Sequence, residues 1–145
     1  MLSSFSSFGV CGSRAAGSSP VRLASLVVPV AAHFGAVSCG CARGVDAVAL
    51  PFASSVFSVS IFGVGRGAFA RRSVSFVRAL AGSSRPVLLC FPSGGCPTGL
   101  FPSASPARCF AGFGSGSWAA AAFADLYPIS WTIFYKELTK KPRII

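Results

Sequence analysis

Short apolar runs that end at glycine turns alternate along this chain with longer segments in which apolar residues recur every three or four positions. The runs at 8–11, 36–39 and 85–91 are mostly apolar, as strands buried on both faces are. The segments between them have the period of helices with one apolar face. Strands that alternate with helices predict an α/β fold, in which a parallel sheet of about five strands is covered by helices on both faces.

The first helix is expected to follow a start signal at Ser19 and Pro20 and to end before Gly35. Its predicted buried face consists of the apolar residues that recur at helical spacing, which are Leu23, Leu26, Val27, Val30 and Phe34. Its polar residues, Arg22, Ser25 and His33, fall on the other face. Pro29 predicts a kink or a division of this helix.

The same pattern predicts further helices within 45–52, 68–80 and 117–126, a third strand at 55–62 and a fifth strand at 107–113. The helix within 45–52 should bury the apolar residues Val45, Val48, Ala49 and Phe52. The helix within 68–80 should carry Arg71, Arg72 and Arg78 on its outer face, which is more typical of a solvated face than of a DNA contact.

The last residues differ in composition from the rest, because residues 128–145 contain every lysine of the chain and no glycine. We therefore expect one domain at 5–127 and a peripheral basic C-terminal tail at 128–145. The alternative is that this segment adds an edge element to the sheet. A chain of 145 residues is long enough for one core, since a domain of this size buries roughly 70% of its unfolded surface.

The apolar content is high for a soluble domain, at 52% of residues and a mean hydropathy of +0.67. Residues 47–65 carry no charge and reach the minimum length of a membrane-spanning helix. However, this stretch contains Pro51 and several serines, and its β-branched and aromatic residues favour a buried strand. A hydrophobic, membrane-associated or non-functional product stays open as an alternative.

The charge is strongly basic, with 13 Lys and Arg residues against 3 Asp and Glu residues and a formal net charge of +10. This balance favours anionic partners such as nucleotides, nucleic acid or an acidic membrane surface. Residues 1–26 are rich in serine and lack acids, a composition that also fits an organellar transit peptide. We prefer to place the first strand there and expect a cytoplasmic protein, with a plastid or mitochondrion as the alternative.

Six cysteines accompany one histidine, His33, and none of them forms a C-x-x-C pair. This arrangement argues against a zinc site, and no secretory pattern supports a disulfide framework. We expect most of the cysteines to be reduced, small core residues.

Glycine turns follow the predicted strands at 11–14, 39–46, 63–67, 92–95 and 112–117. In a parallel sheet these turns share the carboxyl edge, where such folds bind ligands and where helix starts offer N–H groups to phosphate.

Three segments, "FGVCGSR", "SCGCARGVDAVAL" and "GFGSGSWAAAAFA", resemble the signature turns of the SLOG superfamily. This nucleotide-binding superfamily unites DNA-processing protein A and the lysine-decarboxylase-like LOG proteins.

The resemblance implies a single Rossmann-like three-layer domain that binds a nucleotide-derived ligand or nucleic-acid phosphates at three turns. The residues that it implies for the site are Gly12, Ser13 and Arg14 in the first turn, Gly40, Arg43, Gly44 and Asp46 in the second, and Gly114, Ser115, Gly116 and Ser117 in the third. From the residues themselves, Asp46 is expected to stabilise the start of its helix.

Two sequence features that known nucleotide-binding or nucleotide-hydrolysing families carry are missing from this chain. The dinucleotide fingerprint G-x-G-x-x-G is absent, because Gly112, Gly114 and Gly116 are all spaced by two. LOG proteins carry a catalytic glutamate after the third turn, whereas residues 118–124 contain no acid. We expect binding without catalysis and no catalytic residue, metal or cofactor. The alternative is a non-enzymatic module that binds single-stranded DNA. For either function, weak non-specific DNA binding is expected from the charge, and a homo-oligomer stays open.

Overall fold

A computed structural model describes residues 4–13, 19–39, 44–56, 66–109, 116–127 and 129–135. Their strands form one parallel sheet in the order β3-β2-β1-β4-β5. The strands are β1 (Ser7–Gly12), β2 (Ala36–Cys39), β3 (Ala53–Val56), β4 (Pro86–Phe91) and β5 (Ser130–Ile133). The helices are α1 (Ser19–Phe34), α2 (Val45–Ala49), which continues as a 3-10 turn (Leu50–Phe52), α3 (Arg66–Ala81), α4 (Pro106–Cys109) and α5 (Gly116–Ala124).

The helices lie on both faces of the sheet, so the domain is a three-layer, Rossmann-like α/β fold as the sequence predicts. Helices α1 and α2 pack on the face that carries Val87, Leu89 and Phe91, whereas α3 and α5 pack on the face that carries Leu88 and Cys90. Both faces are therefore buried, which accounts for the nearly continuous apolar strands. α1 and α2 lie on one side and α3 on the other, as expected when crossovers share one hand and the chain reverses its direction across the sheet after β3.

The predicted first helix exists, with Val27 buried and Arg22, Ser25 and His33 exposed as predicted, but most of its buried face differs from the prediction. Its buried residues are Pro20, Ala24, Val27, Val28 and Ala31, whereas Leu26, Val30 and Phe34 are exposed. Both sets recur at helical spacing, so periodicity alone does not distinguish them. The mostly small residues allow α1 to lie close to the sheet. The helix also continues through Pro29 without dividing there.

The segment at 107–113 was expected to be the fifth strand, and this prediction is wrong where the structure describes it. Residues from Pro106 to Cys109 form the short helix α4, and residues 110–113 lie outside the described part of the chain. The third strand begins earlier than predicted, at Ala53, and residues 57–62 are likewise outside it. Phe52, predicted to be buried, is exposed.

The fifth strand comes instead from the segment that we expected to be a peripheral tail. β5 pairs with β4 from Val87↔Ser130 to Cys90↔Ile133, at the edge of the sheet. The buried residues Ile129, Ile133 and Phe134 join the core. Of the two alternatives for this segment, the edge element is therefore correct for residues 129–135.

Within the described ranges, no helix is both long enough and apolar enough to cross a bilayer. The stretch that raised this alternative, residues 47–65, begins as α2, a 3-10 turn and β3, and its residues 57–65 are not described.

Candidate site at the carboxyl edge of the sheet

The central strands β1 and β4 are neighbours, but the chain leaves them in opposite directions across the sheet. β1 is followed by β2 on one side, and β4 is followed by β5 on the other. Such a reversal opens a crevice outside the carboxyl ends of the two strands, where open α/β sheets bind their ligands. In this chain the topological position of such a crevice is between the ends of β1 and β4, where Gly12 pairs with Phe91.

Gly12 occupies a position with no room for a side chain. A Cβ atom there would lie 2.6 Å from the Phe91 carbonyl oxygen and 2.8 Å from Cγ2 of Val45. The missing side chain therefore allows the first residue of α2 to pack directly over the end of β1. The closest neighbours of this position are the protein's own groups.

Ser13 connects β1 to both β4 and α2 through its backbone. Its N–H donates to the Phe91 carbonyl (2.9 Å), and its carbonyl accepts a hydrogen bond from the Val45 N–H (3.0 Å). The latter bond satisfies the first N–H of α2, which would otherwise have no partner inside the helix. The amides of Ser13 and Val45 therefore serve the fold.

Gly44 and Asp46 form the start of α2, directly beside this junction. Gly44 has φ 61° and ψ −121°, a conformation open to glycine and costly for other residues. Asp46 lies in the first turn of the helix, where a carboxylate is favoured by the helix dipole. Its Oδ1 atom is buried. The first and second predicted turns are thus in direct contact.

The start of α5 lies at the same edge, on the opposite face of the sheet. α5 runs back towards the amino edge, because β5 starts there soon after α5 ends. Ser117 and Trp118 are buried, and the indole Nε1–H of Trp118 donates to the Gly94 carbonyl at 2.7 Å. This bond fixes the loop after β4 against the third predicted turn.

Tyr135 completes the contact between this loop and the segment after β5. Its ring meets that of Trp118 edge to face, with centroids 6.5 Å apart. A Cβ added at Gly95 would lie 3.8 Å from Cε2 of Tyr135. The glycine pair after β4 therefore lies between the start of α5 and the end of the fifth strand.

The structure thus places the described members of all three predicted turns at one edge. Gly12, Ser13, Gly44 and Asp46 lie together on the α2 side, and Gly116 and Ser117 begin α5 on the other. Five further predicted residues, Arg14, Gly40, Arg43, Gly114 and Ser115, lie outside the described residues. Sequence reasoning missed the contact between Trp118 and Gly94, since no local pattern pairs positions so far apart.

The two carboxylates of the described residues lie at opposite edges of the sheet. Asp46 is at the carboxyl edge, whereas Asp125 follows the end of α5 and accepts a hydrogen bond from Trp131 Nε1 at 2.7 Å. Glycosidic hydrolysis typically needs two carboxyl groups that flank the scissile bond and lie about 5–9.5 Å from each other. Asp46 and Asp125 do not form such a pair. Among the described residues there is also no group of three His, Cys, Asp or Glu side chains that could hold a metal ion.

Among the cysteines of the described ranges, Cys39, Cys90 and Cys109 are buried, as expected of core residues, and Cys11 and Cys96 are partly buried. Burial raises the pKa of the Cys96 and Cys109 thiols above the ordinary value. These two side chains are therefore poorer nucleophiles than an exposed cysteine.

A second concave surface lies at the amino edge, away from the predicted turns. It is a cleft of about 400 Å³ lined by Ser4, Phe5, Arg85, Pro86, Ile129 and Ser130. Arg85 has a positive φ of 43°. Open α/β sheets bind their ligands at the carboxyl edge, so this cleft is not the site that the topology favours.

No family model, curated protein or solved structure matches the chain.

Proposed function

We propose that this protein binds the phosphate of a nucleotide-derived ligand or of a nucleic acid at the carboxyl edge of its sheet, without catalysing a reaction on it. The observation that carries the proposal is the reversal of strand order between the ends of β1 and β4, at the edge that holds the described members of all three glycine turns.

The residues around this crevice suit a phosphate by size and polarity. The strand ends and helix starts there carry the small residues Ser13, Gly94 and Ser117, and nothing lies within 4 Å of the Cβ position of Gly94. The amides of Ser13 and Val45 are occupied by the protein. Contacts with the ligand are therefore assigned to the hydroxyl groups of Ser13 and Ser117 and to the start of α5. The N–H groups and the helix dipole at a helix start favour an anion.

The overall charge of +10 supports the same class of ligand, because it raises the local concentration of anions. The resemblance of the three turns to the SLOG superfamily adds the arginines Arg14 and Arg43 to the proposed site. Catalysis is left out of the proposal because the described carboxylates do not approach each other and residues 118–124, directly after the third turn, contain no acid.

A pair of substitutions with equal charge and opposite location tests this site. Ser13→Asp places a carboxylate at the carboxyl edge, whereas Ser130→Asp places one on an exposed residue at the amino edge. We expect Ser13→Asp to weaken binding of labelled single-stranded oligonucleotides and of nucleoside mono-, di- and triphosphates by about tenfold or more, since hydrogen bonds to charged groups contribute about 1.5–3 kcal/mol. Fluorescence anisotropy and thermal shift measure the two ligand classes.

Ser130→Asp is expected to change the affinity little, and both variants should keep the wild-type melting temperature. An equal loss of affinity in the two variants would contradict the proposed site and indicate binding by general surface charge. Failure of all these ligands to bind the wild-type protein would overturn the function itself.

The second candidate function is non-specific binding of single-stranded DNA, which the net charge favours. The outer face of α3 is not a free basic surface at Arg78, since its Nε donates to the Tyr127 hydroxyl (3.1 Å) and its guanidinium lies 5.8 Å from the Phe123 ring centre. Oligonucleotide binding that falls steeply between about 50 and 200 mM salt, with no competition from mononucleotides, would favour this candidate.

A further inference from the structure

Two cysteines face each other across the central strands of the sheet, just below the carboxyl edge. Cys11 on β1 and Cys90 on β4 are direct register partners. Their sulfur atoms are 3.3 Å apart, and the Cys11 thiol donates a hydrogen bond to the Cys90 sulfur. We infer that Cys11 and Cys90 form a site of reversible oxidation, at which hydrogen peroxide joins the two side chains in a disulfide across β1 and β4.

The backbone already has the spacing that this bond requires. Neighbouring strands of a sheet lie about 4.7–4.9 Å apart, and disulfides connect Cα atoms about 4.4–6.8 Å apart. Register partners in a parallel pair also point to the same face, and both cysteines pack in the cluster beneath α3 and α5. Side-chain rotation therefore brings the sulfur atoms together without movement of the strands.

The two thiols differ in their exposure to solvent, and this difference decides which of them reacts first with the oxidant. Cys11 is partly exposed, whereas Cys90 is fully buried. Burial raises the pKa of the Cys90 thiol well above its ordinary value, and the neighbouring Cys11 raises it further. Cys11 therefore meets the oxidant first, and Cys90 keeps its proton until an oxidised sulfur lies beside it.

The reaction proceeds in two balanced steps. Cys11, after losing its proton to water, attacks one oxygen of hydrogen peroxide, the O–O bond breaks, and hydroxide leaves to give a sulfenic acid. The Cys90 sulfur then attacks the Cys11 sulfur, an S–S bond forms, and the departing hydroxide takes the Cys90 proton as water. Two thiols and one peroxide become one disulfide and two waters, with two electrons passing from sulfur to oxygen.

The position of the pair is beside the crevice, since Gly12 follows Cys11 and Phe91 follows Cys90. A disulfide here would join the two strands immediately before the ends that form the crevice. This inference does not depend on the proposed ligand, because the bond forms within the chain alone.

The experiment treats the full-length protein with a small excess of hydrogen peroxide and maps its peptides by mass spectrometry without reduction. We expect a peptide pair joined through Cys11 and Cys90, with a loss of two hydrogens from the chain mass, and its disappearance after dithiothreitol. Cys96→Ser serves as the matched control, since Cys96 is also partly buried and its thiol donates to the Pro97 carbonyl. This variant should form the bridge as the wild type does.

Cys90→Ala should leave Cys11 to be oxidised to sulfinic acid or to link two chains, and Cys11→Ser should abolish the bridge. Circular dichroism checks that both variants are folded; because Cys11 is partly exposed, its variant provides the test if Cys90→Ala does not fold. Wild-type protein in which Cys11 gains oxygen atoms or links two chains without bridging to Cys90 would overturn the inference.

Discussion

At the carboxyl edge, the distance between neighbouring segments of the chain decides whether a position has room for a side chain. Gly12 illustrates this best, because the atoms around its missing Cβ belong to a carbonyl group, to Val45 of α2 and to Phe91 of β4. A carbonyl oxygen cannot move without breaking the pairing of β4, so this position tolerates no side chain. Gly94, in contrast, has nothing within 4 Å of its Cβ position.

The same substitution at the two glycines therefore gives different results. Gly12→Ala is expected to lower the free energy of unfolding by about 1–3 kcal/mol, as overpacking does. Gly94→Ala should change it by less than about 0.5 kcal/mol, as substitutions away from packed sites do. Urea denaturation followed by circular dichroism measures both. Equal stabilities would show that α2 does not pack over the end of β1.

At the scale of elements, α1 shows that helix existence is easier to predict than helix orientation. Its bounds follow from the start signal at Ser19 and Pro20 and from Gly35 after its end, and these were predicted correctly. The buried face was predicted correctly only at Val27, because two apolar sets share the helical period. The sheet selects the set with Ala24, Val28 and Ala31, whose small side chains permit a close approach.

A matched pair of valines on α1 tests this orientation. Val28 is 0% exposed and Val30 is 48% exposed. Val28→Ala should lower the free energy of unfolding by about 1.5–3 kcal/mol, through lost burial and a residual cavity. Val30→Ala should have almost no effect, since alanine is also the better helix former. Thermal or urea unfolding compares the two variants, and the opposite order would restore the face that the sequence predicts.

Local pattern predicted most elements because each depends on nearby residues: β1, β2 and β4 are short apolar runs, and α3 and α5 have helical periods. The site was predictable only as far as the turns could be placed at one edge. The contacts that build it, such as the Ser13–Val45 hydrogen bond and the bond from Trp118 to Gly94, join distant parts of the chain. β5 was missed for the same reason, because its partner β4 decides that it is a strand.

At the scale of the whole molecule, the apolar residues lie in the core and the described basic residues lie on the surface. The helices bury apolar residues on both faces of the sheet. Two buried faces require many apolar residues, which accounts for the high mean hydropathy of the chain. The exposed arginines of the described ranges, including Arg22, Arg78, Arg85 and Arg108, are distributed over several elements. A basic surface of this kind favours anions in general, so the function proposed above requires that specificity come from the carboxyl edge.

A truncation tests whether the whole domain needs its fifth strand, β5, to fold. Residues 129–135 contribute Ile129, Ile133 and Phe134 to the core, and Phe134 N–H donates to the Cys90 carbonyl at 2.8 Å. Each buried side chain of this size contributes about 1.5–3 kcal/mol, and a whole domain has a net stability of only about 5–15 kcal/mol.

A chain ending at Tyr127 should therefore lose cooperative unfolding, because it loses β5 and exposes one side of β4. A chain ending at Tyr135 keeps every described residue of the sheet and should unfold cooperatively, with a melting temperature close to that of the full chain. Differential scanning calorimetry of the three proteins decides between an integral strand and a peripheral tail. A cooperative transition in the chain ending at Tyr127 would mean that α3 and α5 hold β4 in place without a fifth strand.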